Sequence, residues 1–202
     1  PIVPLGWHGL TPGEYLDRLR SGIAAVTLLL ILPAARRGWG WRPALVGLAY
    51  AGTMITYVLA NKLTTAANAI FLQSTAPLYV LMLSPLFLGE RVRRRQLLFV
   101  IILAFGMGLF FIGSQPSWAS APRPVEGNMV AVATGVFWAL TIIGLRWLGR
   151  ETAGHAQAPT AATAVACGNL LACLVTLPLA LPVAEAAAVD WVVVVFLGFF
   201  QI

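Results

Sequence analysis

The feature that most constrains this chain is a series of apolar blocks, each about as long as a bilayer core is thick, separated by short arginine-bearing loops. About 20 helical residues cross the hydrocarbon region. Residues 43–63, 65–88, 96–114 and 127–148 reach or approach that length. Lipid leaves only helices and closed barrels able to satisfy their backbone, and these blocks carry no period-2 alternation. Composition agrees: hydrophobic residues make up 59% and charged residues 10%, against about 25% charged in a soluble domain. The mean hydropathy is +0.86. The expected fold is all-α, a polytopic transmembrane helical bundle.

Six complete helices and the start of a seventh are expected. The first opens at Thr11, Pro12, Gly13 and Glu14, with Thr11 as N-cap, proline at the first helical position and glutamate at the third. It runs to about Ala35. The others cover residues 43–63, 65–88, 96–114, 127–148 and 159–181, with the last starting near Val189. The chain begins at Pro1 rather than at a methionine, and its last apolar run, 191–202, is too short to span. Both ends are therefore expected to be breaks in a longer protein.

Charge placement supports the helix count. Numbering the loops alternately puts Arg36, Arg37, Arg42, Arg91, Arg93, Arg94, Arg95, Arg146 and Arg150 on one side. Arg18, Arg20, Lys62 and Arg123 fall on the other, with most of the acidic residues. The arginine-rich side is expected to be cytoplasmic, placing the chain in a bacterial-type inner membrane. The run from Arg93 to Arg95 sets topology on this reading, with anionic headgroup binding as the alternative. The net charge of +6 leaves no basic face for nucleic acid.

Other chemistry is thinly represented. The chain has no phosphate-binding G-x-x-x-x-G-K-[ST] loop, so neither ATP-driven transport within it nor an ATPase subunit is implied. His8 and His155 stand alone in loops, without the clustered ligands of a metal site, and no cofactor is expected. Cys167 and Cys173, six positions apart on one helix, point to different faces and read as free thiols. Small residues recur every four positions at Ala131, Gly135 and Ala139, and at Ala164, Gly168, Ala172 and Thr176, which lets helices approach closely.

Two helices carry polar or aromatic residues in register. Tyr50, Tyr57 and Asn61 fall at i, i+7 and i+11, and Asn68, Thr75 and Tyr79 repeat that spacing. Each set occupies a narrow helical sector. A weaker set is Thr134, Trp138 and Thr141. Polar groups are costly in lipid, so these faces look into the bundle, either lining a water-filled cavity or hydrogen-bonding between helices. Pro77 deprives the Gln73 carbonyl of its amide partner, which makes either a packing kink, with a possible bending point, or an interrupted helix of the kind that builds midplane sites. Arg20 lies inside its helix and snorkels or pairs with Asp17. Glu90 ends the third helix as an interface anchor or as part of a gate.

Residues 63–113 carry a mid-span Pro77, the pair Gly89 and Glu90, basic Arg91 and then a helix containing Gly106. That order resembles the EamA-type unit of the drug/metabolite transporter superfamily. Arg20 resembles the family's arginine early in its second helix, and Tyr57 its aromatic position before an Ala-x-x-x-Thr turn. The resemblance implies ten helices in two inverted five-helix repeats. Residues 1–114 would be a first repeat lacking its first helix, 115–126 a periplasmic linker, and 127–202 the start of a second repeat, cut in its third helix.

The function implied is secondary transport, exporting small organic metabolites such as amino acids by alternating access. The partners would be a small-molecule substrate and the lipid bilayer. The expected substrate-facing residues are Tyr50, Tyr57, Asn61, Asn68, Thr75, Tyr79, Trp138 and Thr141, with Arg20, Pro77 and Glu90 structural or gating. No catalytic set stands out. The competing classes are a non-transporting membrane assembly or regulatory subunit and a membrane-embedded lipid-modifying enzyme.

Overall fold

The computed structural model describes residues 12–111, 121–151 and 161–177, together with positions 189, 192, 195, 196 and 199. Among these every regular element is helical: α1 (Pro12–Ile31), a 3-10 turn (Pro33–Arg36), α2 (Trp41–Leu63), α3 (Ala66–Gln73), α4 (Ala76–Leu88), α5 (Arg94–Phe111), α6 (Pro124–Glu151) and α7 (Ala161–Thr176). Among the described residues three segments are long and apolar enough to cross a membrane, Trp41–Leu63, Ala66–Leu88 and Pro124–Arg150. Two compact units form, one from Pro1–Leu48 and Gly154–Ile202, the other from Ala49–Ala153.

In the first unit α1 packs on α7 through small residues. Ala24, Ala25, Ala164, Ala166 and Ala172 are all buried, and a Cβ added at Gly47 would come within 2.9 Å of the Gly168 nitrogen. Helix α1 ends at Ile31, four residues before the expected Ala35. Pro33 is the reason: it holds Leu32 in extended backbone (φ −103°, ψ 103°), as the residue before a proline prefers. The chain then makes the 3-10 turn. Arg36 covers the exposed end of α1, its Nε donating to the Leu29 carbonyl and an Nη to that of Leu30 at 2.6 Å. Thr163 of α7 lies 3.1 Å and 2.8 Å from the carbonyls of Ala34 and Arg37 and fastens the turn. Cys167 and Cys173 are free, as expected. The expected cap of α1 rests on Thr11, which lies outside the described residues.

In the second unit α6 packs along α3 and α4, and α5 lies against α4. Ala131, Ala139 and Gly135 of the small-residue stripe are buried. Helix α6 begins at Pro124, three residues before the expected Gly127, because proline suits a first helical turn. Helix α5 begins at Arg94 rather than Gln96, and the Gln96 side chain accepts the Arg93 N–H at 2.8 Å, half of a capping box. Its expected end at Ser114, and those of the sixth helix at Pro159 and Leu181, lie outside the described residues. The outer side of α5 exposes Leu98, Ile101, Ile102 and Phe105, a surface suited to lipid.

The expected single helix over residues 65–88 is two segments, α3 and α4, joined through Ser74 and Thr75. Thr65 caps α3, its side chain accepting the Asn68 N–H at 3.2 Å. Both joining residues stay near the helical region, at φ −65°, ψ −4° and φ −72°, ψ −9°, so the chain continues through the joint without reversing. Pro77 has no N–H for the Gln73 carbonyl. The next amide, that of Leu78, reaches back three residues to the Thr75 carbonyl at 2.9 Å. Gly89 closes α4 in the left-handed region (φ 62°), the usual backbone of a helix-ending glycine.

Candidate functional site

The polar positions of the second unit gather along α6. At one end Thr64, fully buried, donates to the Asn128 side-chain oxygen at 2.9 Å, and the Asn68 amide lies 3.4 Å from the Thr64 hydroxyl. The Arg123 N–H donates to the Leu63 carbonyl at 3.0 Å. The start of α6 is thereby fixed to the turn between α2 and α3. Further along, Thr56 donates to its own helix at the Gly52 carbonyl (2.7 Å) and accepts from Thr134 of α6 at 2.9 Å. A Cβ at Gly52 would meet the Phe137 ring at 2.8 Å, so glycine admits that ring.

The interrupted span meets α6 at Gly135. A Cβ there would lie 2.9 Å from the Thr75 hydroxyl, 3.2 Å from the Tyr79 ring and 3.3 Å from the Leu72 carbonyl. The expected pair Thr75 and Tyr79 is therefore brought together against one point of α6, at the joint itself. The joint is tied locally by hydroxyls: Ser74 donates to the Ile70 carbonyl at 2.8 Å and Thr75 to that of Leu72 at 2.6 Å.

The remaining expected residues divide by how their polar atoms are engaged. Asn61 donates to the Tyr57 carbonyl one turn back, at 2.9 Å. Thr141 is buried and donates to the Phe137 carbonyl at 2.9 Å. Asn68 belongs to the Thr64 cluster. Tyr50, Tyr57 and Tyr79 are half-buried, and among the described residues no hydrogen bond engages their hydroxyls. Trp138 is exposed. Arg20 lies in the other unit, on α1.

At the arginine-rich end Glu90 accepts from two residues of α6. Arg146 lies at 3.4 Å and Arg150 makes a close contact with the second carboxylate oxygen. Arg150 also donates to the Leu88 carbonyl at 2.7 Å. That carbonyl is one of the last of α4, where the helix carries partial negative charge. One carboxylate and one helix end thus hold two guanidinium groups.

Thr64, Asn128, Thr56 and the two arginine partners of Glu90 are functional-scale contacts that spacing within a single helix does not reveal. Each joins positions about 56 to 78 residues apart in the chain. Pro85 lies inside α4, which continues through it. Among the described residues no three His, Cys, Asp or Glu side chains gather as a metal site; His8 and His155 lie outside them.

Residues 18–112 match the model of the EamA-like transporter family. No curated protein and no solved structure matches the chain significantly.

Proposed function

We propose that this chain, whose residues 18–112 match the model of the EamA-like transporter family, exports small organic metabolites such as amino acids by alternating access. The family is one of membrane transporters, and the chain is a multi-pass membrane protein. Direction, substrate class and mechanism are our reading.

One observation carries it: the span Ala66–Leu88 is interrupted at Ser74 and Thr75, where it rests on Gly135 of α6. Transporters build substrate sites from discontinuous helices near the bilayer midplane, because a break offers backbone carbonyls and a bending point together. Here the break brings Thr75 and Tyr79 with it. Tyr50 and Tyr57 on α2 add half-buried rings with free hydroxyls among the described residues. Such rings suit a substrate with one apolar part and one polar part. Asn61, Asn68, Trp138 and Thr141 support this set, with Pro77 as the bend, Glu90 as the fastening at one end and Arg20 as a structural anchor. The arginine bias makes the Glu90 end cytoplasmic, and the bilayer an inner membrane.

Tyr57→Ala and Tyr79→Ala in the full-length protein test the reading. Each is expected to lower amino-acid flux in proteoliposomes by roughly tenfold, the value of one lost aromatic contact, with membrane insertion unchanged. Wild-type kinetics in both variants would remove these residues from the site.

A further inference from the structure

Helices α4, α5 and α6 and the α4–α5 connection line a partly open cavity of about 460 Å³ at the arginine-rich end of the second unit. That volume is in the range of small-molecule sites. Its walls are largely apolar, formed by Val80, Leu81, Phe99, Val100 and Ile142 among others. Its charged lining is Arg91, Arg95 and Arg146 against Glu90 alone. Glu90 is already engaged by Arg146 and Arg150. Arg91 and Arg95 form no ion pair among the described residues.

A second feature points to an occupant. Ser84, 6% exposed, lines the same cavity, and its Oγ has no hydrogen-bond partner among the described residues. A buried hydroxyl is normally hydrogen-bonded, and leaving one bare is unfavourable. Ser84 breaks that rule in the wall of this cavity, where a rotation of its side chain would bring the hydroxyl to a bound molecule.

We propose that this cavity binds an amphipathic anion. Its phosphate or carboxylate head sits on Arg91 and Arg95, with Arg146 beside them. Its apolar body lies among the walls, and an oxygen atom along that body meets the Ser84 hydroxyl. Each part of the lining excludes a simpler ligand. Inorganic phosphate leaves the apolar walls and Ser84 unmatched, and a hydrocarbon leaves two guanidinium groups without an anion. The same chemistry has two sources, an anionic phospholipid of the surrounding leaflet or a soluble amphiphile. The lining shares Pro77 and Glu90 with the transport set but includes none of the tyrosines, and occupancy is measurable without transport.

The test is the thermal unfolding midpoint of full-length protein in maltoside detergent. Four probes are titrated: dihexanoyl phosphatidylglycerol, hexyl phosphate, dihexanoyl phosphatidylcholine and inorganic phosphate. A saturable rise is expected with at least one of the two amphipathic anions, with the choline lipid and inorganic phosphate at least tenfold weaker. A response to phosphatidylglycerol without one to hexyl phosphate assigns the site to lipid. A response to hexyl phosphate, alone or with the lipid, assigns it to soluble amphiphiles. Replacing both arginines, Arg91→Gln with Arg95→Gln, is expected to weaken binding by roughly a hundredfold, about tenfold for each charged hydrogen bond. Ser84→Ala removes only the hydroxyl and is expected to weaken it severalfold. The proposal is overturned if neither amphipathic anion shifts the midpoint saturably, if inorganic phosphate acts as strongly as they do, or if the arginine-free variant binds like wild type. Those results leave the flux assay of the tyrosine variants untouched, so the two readings fail separately.

Discussion

Gly127 shows how a single missing side chain sets where two helices meet. A Cβ at that position would lie 2.6 Å from the Thr64 nitrogen and 2.7 Å from the Leu63 carbonyl carbon. Both are backbone atoms and cannot turn aside, unlike the end of a flexible side chain. Gly127→Ala is therefore expected to destabilise the fold by about 1–3 kcal/mol, the usual cost of overpacking. Gly106→Ala is the matching control. Nothing lies within 4 Å of a Cβ there, and a helix-interior alanine is worth roughly 0.5–1 kcal/mol over glycine. Thermal midpoints in detergent should separate the two variants in opposite directions; coincident midpoints would contradict the packing described. The stripe through Ala131, Gly135 and Ala139 was legible because its spacing lies within one helix. Gly127 was not, because what it avoids is the backbone of a turn 63 positions earlier in the chain.

Among the elements, α4 is held to α6 by charge at one end and by close packing at the joint. Glu90 and its partners are about one-third to one-half exposed, so solvent screens them. Exposed pairs of this kind couple by about 0.2–1 kcal/mol. A double-mutant cycle with Glu90→Gln and Arg150→Gln is expected to return a coupling in that range, shrinking as salt is raised. A coupling of several kcal/mol, insensitive to salt, would show that the pair is far better shielded than its exposure indicates. The elements themselves were largely legible, since apolar blocks long enough to span and flanking arginines leave few alternatives. Their ends were less so. Pro33 stopped α1 early, and Pro77 turned an expected continuous helix into two, although the loss at the Gln73 carbonyl could be read from the residue alone. The polar faces were legible as faces. Which of their atoms were already engaged, as in Asn61 and Thr141, depended on one-turn-back bonds that spacing does not distinguish from open ones.

For the molecule as a whole, the arginine bias makes a prediction that no packing detail affects. Arg94→Cys and Arg123→Cys, each in a cysteine-free full-length background, should face opposite sides of the membrane. An impermeant thiol reagent added to intact cells should label Arg123→Cys and spare Arg94→Cys; the reverse pattern would invert the proposed export direction. The joint at Ser74 and Thr75 also affects how the whole protein can move. Amide ladders resist bending because each donor must leave its acceptor before finding another. At this joint two of the acceptors, Ile70 and Leu72, take a hydroxyl as well as a backbone amide, and a hydroxyl is a rotor that can exchange partners within nanoseconds. A change of angle there must still break the amide bonds of Ser74 and Thr75, and the two hydroxyls can hold the Ile70 and Leu72 carbonyls while it does.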